Sequence, residues 1–204
     1  SLLGLMMAIV VVATPCWAGF SGTDVYLPAV GSAVGVTPWY TTVWVYNPDS
    51  APASLTFYLL KRQANPSPAR YDDTIMPGEI KRYDDAVYFM FHETTFGALR
   101  IVADRKVLVS SRIYAQAEGA LLRDSTGQFF AGIPASFAIG AGDSTEIVGG
   151  WQTQPAAGSD FRFNYGFLET TGTGTCQVEV TVKDEMGTTL GSRSYNLREW
   201  EQLQ

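Results

Sequence analysis

Beyond Gly19, side chains change polarity at every second residue over most of the chain. In TTVWVYN (41–47), Val43 and Val45 alternate with Thr42, Trp44 and Tyr46. In ASLTFYLLKR (53–62), Leu55, Phe57 and Leu59 share one face, and in CQVEVTVKD (176–184) Cys176, Val178, Val180 and Val182 do. A period of two is that of a half-buried strand, whose successive side chains point to opposite faces. The breaks between runs carry turn formers: NPDSAP (47–52), Pro77-Gly78, TTGTGT (170–175) and Glu185-Met186-Gly187. The fold class this implies is all-β: an antiparallel β-sandwich. GALRIVAD (97–104) and KVLVSSRIYA (106–115) are expected to form a hairpin with Asp104-Arg105 at its tip. Further strands are expected within STEIVGGWQ (144–152), DFRFNYGFLE (160–169) and REWEQLQ (198–204), with glycine-rich loops over 116–143. One segment has helical spacing, DDAVYFMFHE (84–93), with Val87, Met90 and Phe91 on one side and Asp84 or Asp85 to cap it. It is read as a short helix over an open end of the sheets, with a strand as the other reading.

The first eighteen residues differ in kind. From Ser1 to Ala18 there is no charge, and the apolar stretch Leu2–Ala13 falls short of the roughly 20 residues a spanning helix needs. Cys16-Trp17-Ala18 followed by Gly19 forms an A-x-A-like cleavage site. This segment is read as a signal peptide truncated at its start. The mature chain is then exported, to the periplasm, the cell surface or the medium, and has no stable membrane span. Cys176 becomes its sole cysteine, and the alternation assigns it to the core as a small hydrophobe.

The formal net charge is −6, and the 14 Lys and Arg are scattered. The basic stripe that drives nucleic-acid binding is missing, and the same balance argues against docking on anionic lipid. Ser–His–Asp catalysis would need His92, the one histidine. It falls at the expected helix end, where an imidazole can meet the last carbonyls. The paired carboxylates are Asp72-Asp73 and Asp84-Asp85. Neighbours on a strand point apart, so neither pair makes a glycosidase couple alone; a turn aspartate and a helix cap account for them. Asp143 and Glu146 lack EF-hand spacing, and GAGDST (140–145) lacks the Lys-Ser/Thr of a phosphate loop. No catalytic, cofactor-binding or metal-ligating residue is therefore assigned. The aromatic residues Trp39, Tyr40, Trp44, Tyr46 and Tyr58 remain as a face that could stack on sugar rings or anchor a protein partner. Otherwise they form the far side of the core or a packing surface between units.

The stretch around the first clean turn also resembles the stretch around the second. VWVYN, a turn and LTFYLLKR correspond to YGFLE, a turn and CQVEVTVKD, with Leu55, Phe57 and Leu59 matching Val178, Val180 and Val182 if the second turn is one residue longer. IMPGEIKRY then corresponds in spacing to NLREWEQLQ. The division read from this is a leader (1–18), a first β-sandwich unit (19–116), glycine-rich loops and short strands (117–159), and a second β unit, incomplete (160–204). WVYNPDSAPASLTFYLL, MPGEIKRYDD, GALRIVADRKVLVSSRIY and FRFNYGFLETTG resemble segments of uncharacterised bacterial exported proteins built from repeated immunoglobulin-like β-sandwich modules. The resemblance spans Tyr40 to Gln204, implies an immunoglobulin-like sandwich, and transfers no catalytic residue. One departure is that Asn47 in the first unit corresponds to Glu169 in the second. The function expected is a non-enzymatic exported module for adhesion, assembly or scaffolding. A carbohydrate-binding module or an appendage of a secreted hydrolase, with an aromatic platform around Trp44 and Tyr58, is the alternative; an aspartate-based hydrolase comes third.

Overall fold

The structure is a computed structural model and describes residues 19–35, 37–150 and 163–204. In chain order it contains β1 (Ser21–Gly31), β2 (Trp39–Tyr46), β3 (Ala53–Lys61), β4 (Ala69–Ile75), β5 (Ile80–Tyr83), helix α1 (Ala86–Phe91), β6 (Phe96–Ala115), β7 (Thr126–Ala131), β8 (Ile133–Pro134), β9 (Phe167–Leu168), β10 (Thr175–Lys183), β11 (Thr189–Arg198) and β12 (Gln202–Leu203). The described residues are thus mostly β, every ladder is antiparallel, and α1 is their one α-helix. None of their helices is long and apolar enough to cross a membrane. The expected leader Ser1–Ala18 lies outside the described residues, as do 151–162. The expected strand at 144–152 does not form over 144–150, and over 163–169 the second shows only Phe167–Leu168 as strand.

The hairpin expected around Asp104-Arg105 is instead one continuous strand. β6 runs for 20 residues, and no residue at the supposed tip has a positive φ. Leu99, Ile101 and Ala103 before it, and Val107 and Val109 after it, all enter the same core. The alternation therefore passes through the polar pair without a phase change, and a turn would have broken that phase. Arg105 takes the inward position between Ala103 and Val107 and reaches Asp49 at 3.3 Å.

β6 is the common neighbour of four strands. β1 lies along one edge from Ser21 opposite Leu108 to Gly31 opposite Phe96, and β7 continues that edge from Ala131 opposite Ser110 to Thr126 opposite Ala115. β2 and β3 occupy the other edge end to end, from Trp39 opposite Ala115 to Tyr46 opposite Leu108, then from Leu55 opposite Ala103 to Lys61 opposite Gly97. Both run in the same direction, so NPDSAP is a crossover rather than a hairpin turn. β4 then pairs with β3, and β5 with β2. Residues from β1 to β6 and α1 enclose one core that includes Phe57, Leu55, Leu59, Leu27, Val43 and Ile101.

Asn47 holds the crossover in place. Its side chain is fully buried; Nδ2 donates to the carbonyls of Ala51 (2.8 Å) and Ile75 (3.2 Å), and Oδ1 accepts from the Asp49 amide (2.9 Å). Its own amide donates to the Glu79 carbonyl. In the turn Met76–Glu79 the Met76 amide donates to the Glu79 carboxylate at 2.7 Å, and Gly78 supplies a φ of 70°.

The same geometry recurs 122 residues further on, the distance from Asn47 to Glu169 and from Glu79 to Glu201. The Glu169 amide donates to the Glu201 carbonyl, and the Glu201 amide to the Arg198 carbonyl as Glu79 does to Met76. The Arg198 amide donates to the Glu201 carboxylate at 2.8 Å, and Trp200 holds a φ of 52° where Gly78 stands. Tyr46 opposite Ile80 becomes Leu168 opposite Gln202, and Ala53 opposite Ile75 becomes Cys176 opposite Leu197. The buried side chain at the centre changes type with its partners. At Glu169 the neighbours are the amides of Thr171, Gly172 and Trp200 and the Thr171 hydroxyl. All are donors, so a carboxylate serves where Asn47 must both donate and accept.

α1 seats Ala86, Val87 and Met90 in the core and packs against β2 and β4. Neither aspartate caps it as expected. Asp85, at its start, has a left-handed φ of 44° and makes no capping bond through its side chain; His92 closes the end with its own amide, bonded to the Tyr88 carbonyl.

Candidate functional site

The aromatic residues expected to share a face are divided by the fold. Tyr40, Trp44 and Tyr46 project from β2 on one row, and Trp39 belongs by parity to the other row, with Val43 and Val45. Trp39 sits past the core, 6.3 Å from the Phe96 ring. Trp44 lies opposite Ser110 and under the Arg82 guanidinium at 5.9 Å; Tyr46 lies opposite Leu108 and Ile80. Tyr58 lies opposite Arg100. Ten residues of β6 separate the rungs of Trp44 and Tyr58, at Ser110 and Arg100. They do not form one platform.

Tyr40 does contribute to a cleft. Its ring lies 5.8 Å from that of Tyr114, and the two, with Pro38, Asp84, Asp85 and the loop 116–119, line an opening of about 460 Å³. Asp84 is engaged by the Thr42 hydroxyl (3.0 Å) and Arg82 Nε (2.8 Å). Asp85 is different: burial pushes its carboxyl above the usual range, with a lesser opposing effect from the Ser32 hydroxyl. Its Oδ1 is buried without a hydrogen-bond partner. The cleft thus offers aromatic walls and hydrogen-bonding carboxyls. His92 is turned against Tyr88, and among the described residues no three His, Cys, Asp or Glu are grouped to hold a metal. Asp72 and Asp73 stand on β4 rather than in a turn. Asp72 is bound by Arg70 and the Thr56 hydroxyl, and Asp73 by Lys81 Nζ (2.9 Å) and the Tyr83 hydroxyl (2.8 Å).

Tyr58 belongs to a seam between the large sheet and the C-terminal segment. Arg100 forms a two-pronged pair with Asp24 (2.9 and 2.7 Å), and its guanidinium lies 4.5 Å from the Trp200 ring centre and 5.9 Å from that of Tyr58. Leu60 and Ala98 are buried beneath Leu168 and Trp200. Asn65, in the β3–β4 loop, donates to the Trp200 carbonyl at 2.9 Å and receives no exposure of consequence. Neither Arg100 nor Trp200 was singled out from sequence. A lone Arg on an outward strand position carries no periodic signal, and Trp200 lies in a segment with no hydrophobic pattern.

The C-terminal hairpin is sparsely covered. β10 pairs with β11 alone, so its second edge is open among the described residues. Leu55, Phe57 and Leu59 are wholly buried or nearly so, whereas Val178 and Val180 at the corresponding places are only partly buried and Val182 is 51% exposed. Cys176 was expected in the core, and its place matches the fully buried Ala53; it is exposed instead. The alternation was correctly read as a strand, but its apolar row is only partly covered: Tyr195, opposite Val178, packs against the Tyr165 and Phe167 rings, while Cys176 and Val182 stay exposed.

The arrangement defines an antiparallel, mostly β architecture with one α-helix among the described residues. No protein-family profile matches the sequence, and no curated protein does. Among solved structures, the crystal structure of Thermotoga maritima 1070 is similar over 57% of this chain and 95% of its own, with 11% identity and a TM-score of 0.43.

Proposed function

We propose that this chain is an exported, non-enzymatic β-sandwich module of immunoglobulin-like kind that works in adhesion, assembly or scaffolding by joining other polypeptides. One observation carries the reading: among the described residues the outer edge of β10 pairs with no strand, and Cys176 and Val182 of its apolar row are exposed. Such edges invite strand pairing and are usually blunted in proteins that stay alone. The division into two related units is part of the proposal. Its support is the recurrence at a 122-residue spacing of the Asn47–Glu79 and Glu169–Glu201 bonds and the Met76–Glu79 turn, and of the β3–β4 ladder register with one residue added before β10. The leader ending at Ala18 supports export. Placing a photocrosslinking residue at Thr181 in the producing cell tests the reading. It expects protease-sensitive, glycosidase-resistant adducts; adducts to glycan alone would overturn it.

Glycan binding is the second reading, favoured by the cleft that brings Tyr40 and Tyr114 beside Asp84 and Asp85. It expects Tyr40→Ala to abolish oligosaccharide binding, followed by tyrosine fluorescence, at an unchanged urea midpoint.

A further inference from the structure

We infer that the turn Arg198–Glu201 is a latch: Trp200 accepts a strained backbone so that its ring can lock the C-terminal segment, β9–β12, in one position on the outward face of β1, β3 and β6. This device is independent of what the chain binds. The same turn occurs twice, and the two copies differ at one telling place. In Met76–Glu79 the left-handed position is Gly78, at a φ of 70°, and residues 76–78 are exposed. In Arg198–Glu201 it is Trp200, at a φ of 52°. Glycine takes that conformation freely, whereas a Cβ there crowds the following carbonyl oxygen. Tryptophan is thus the wrong residue for the turn, and the reason for it lies outside the turn.

The ring is seated from both sides. On the large sheet, the Arg100 guanidinium lies 4.5 Å from its centre and is itself fixed by donating to both Asp24 carboxylate oxygens. On the C-terminal side, Gly172 leaves the space the indole fills, since a Cβ there would lie 2.1 Å from it. The backbone is pinned as well. The Trp200 amide donates to the Glu169 carboxylate, the Trp200 carbonyl accepts from the Asn65 side chain, and the Asn65 amide donates to the Glu199 carbonyl, each at 2.9 Å. The gain shows underneath. Leu60 and Ala98 share the outward parity of Tyr58 and Arg100, yet both are fully buried beneath Leu168 and Trp200. That burial and the stacked cation offset the strain in the turn. Without the stack the strain has nothing to oppose it, and the turn and the seam loosen together.

Ala98→Cys places a thiol under the ring. In the full chain its alkylation, located by peptide mass spectrometry, should be slow. Adding Trp200→Gly should speed it about tenfold or more, while the urea midpoint, followed by circular dichroism, stays unchanged. The strain is read at the Glu201 amide, which donates to the Arg198 carbonyl. Arg100→Ala should speed its hydrogen exchange severalfold, and Trp200→Gly added to Arg100→Ala should slow it again. Should Arg100→Ala fail to fold, Arg100→Gln, which still offers Asp24 a donor, takes its place. A thiol equally slow in Trp200→Gly overturns the latch, because the segment then stays seated without the ring. So does a midpoint that falls in step with the labelling, the mark of an ordinary core residue. So does a double variant whose Glu201 amide exchanges as fast as in Arg100→Ala alone, because the turn then bears no strain from Trp200.

Discussion

Asn47→Ala tests whether one buried amide organises the crossover between β2 and β3. The side chain is fully buried and makes bonds of 2.8 and 3.2 Å to two carbonyls and 2.9 Å from one amide. Each such bond contributes about 1 kcal/mol net, and a polar group left buried without a partner costs roughly 1–3 kcal/mol. Ala51 and Asp49 are partly exposed and can turn to water, whereas the Ile75 carbonyl lies at a buried residue. The expected loss is therefore about 3–4 kcal/mol. At an m-value of about 2 kcal/mol/M it lowers the urea midpoint by roughly 1.5–2 M, read by tryptophan emission at pH 7. A loss under about 1 kcal/mol at unchanged m would refute the reasoning. Asn47→Asp sharpens the test. It keeps the shape but sets a carboxylate against two carbonyls, so it should be worse than alanine at pH 7. Its deficit should shrink as the pH falls toward 4, where protonation restores one donor.

Phe57→Ala should cost about 3–5 kcal/mol as a buried aromatic, and Val180→Ala about 1 kcal/mol, because the same row is wholly buried in one place and only partly buried in the other; thermal unfolding compares them. A double-mutant cycle on Arg100→Ala and Trp200→Ala should return a coupling of about 1 kcal/mol, and additivity would dissolve the stacked seam. Gly172→Ala should loosen the C-terminal turn, since a Cβ would lie 2.1 Å from the Trp200 ring at a φ of +68°; faster amide exchange over 198–203 reports it. Burial pushes the Glu169 carboxyl up, but bonds from Thr171, Trp200 and Gly172 outweigh it and hold the group below its usual range. Its contribution is then fully present above the unfolded value, about 4.3, and is lost as pH falls through the lower folded value. Glu169→Gln should flatten that part of the stability–pH curve.

The alternation made β2, β3, β6 and β10 legible, because burial on one face writes itself into every second residue. It could not say which strands are neighbours. The two halves of β6 read as a hairpin because each alternates cleanly, and only their shared phase across Asp104-Arg105 betrays one strand. Cys176 was misplaced for the same reason: a pattern specifies a face suited to burial and not whether anything covers it. Within the candidate sites, Tyr40 and Tyr58 were named, and Asp85 only as a helix cap, but the cleft and the seam depend also on Tyr114, Arg100 and Trp200, which come from distant segments. The bonds of Asn47 and Glu169 show the limit most clearly. The sequence aligned the two positions, yet the backbone donors and acceptors that make one an amide and the other a carboxylate exist only after folding.

A strand shared by four others also sets a timetable. Ribosomes deliver the chain from its amino end, so β1, β2 and β3 are all synthesised before the one neighbour that joins them. Until residue 115 has emerged their apolar rows have no proper place to rest. Newly made chains should therefore depend on holding factors over this interval, and then close late and all at once around β6.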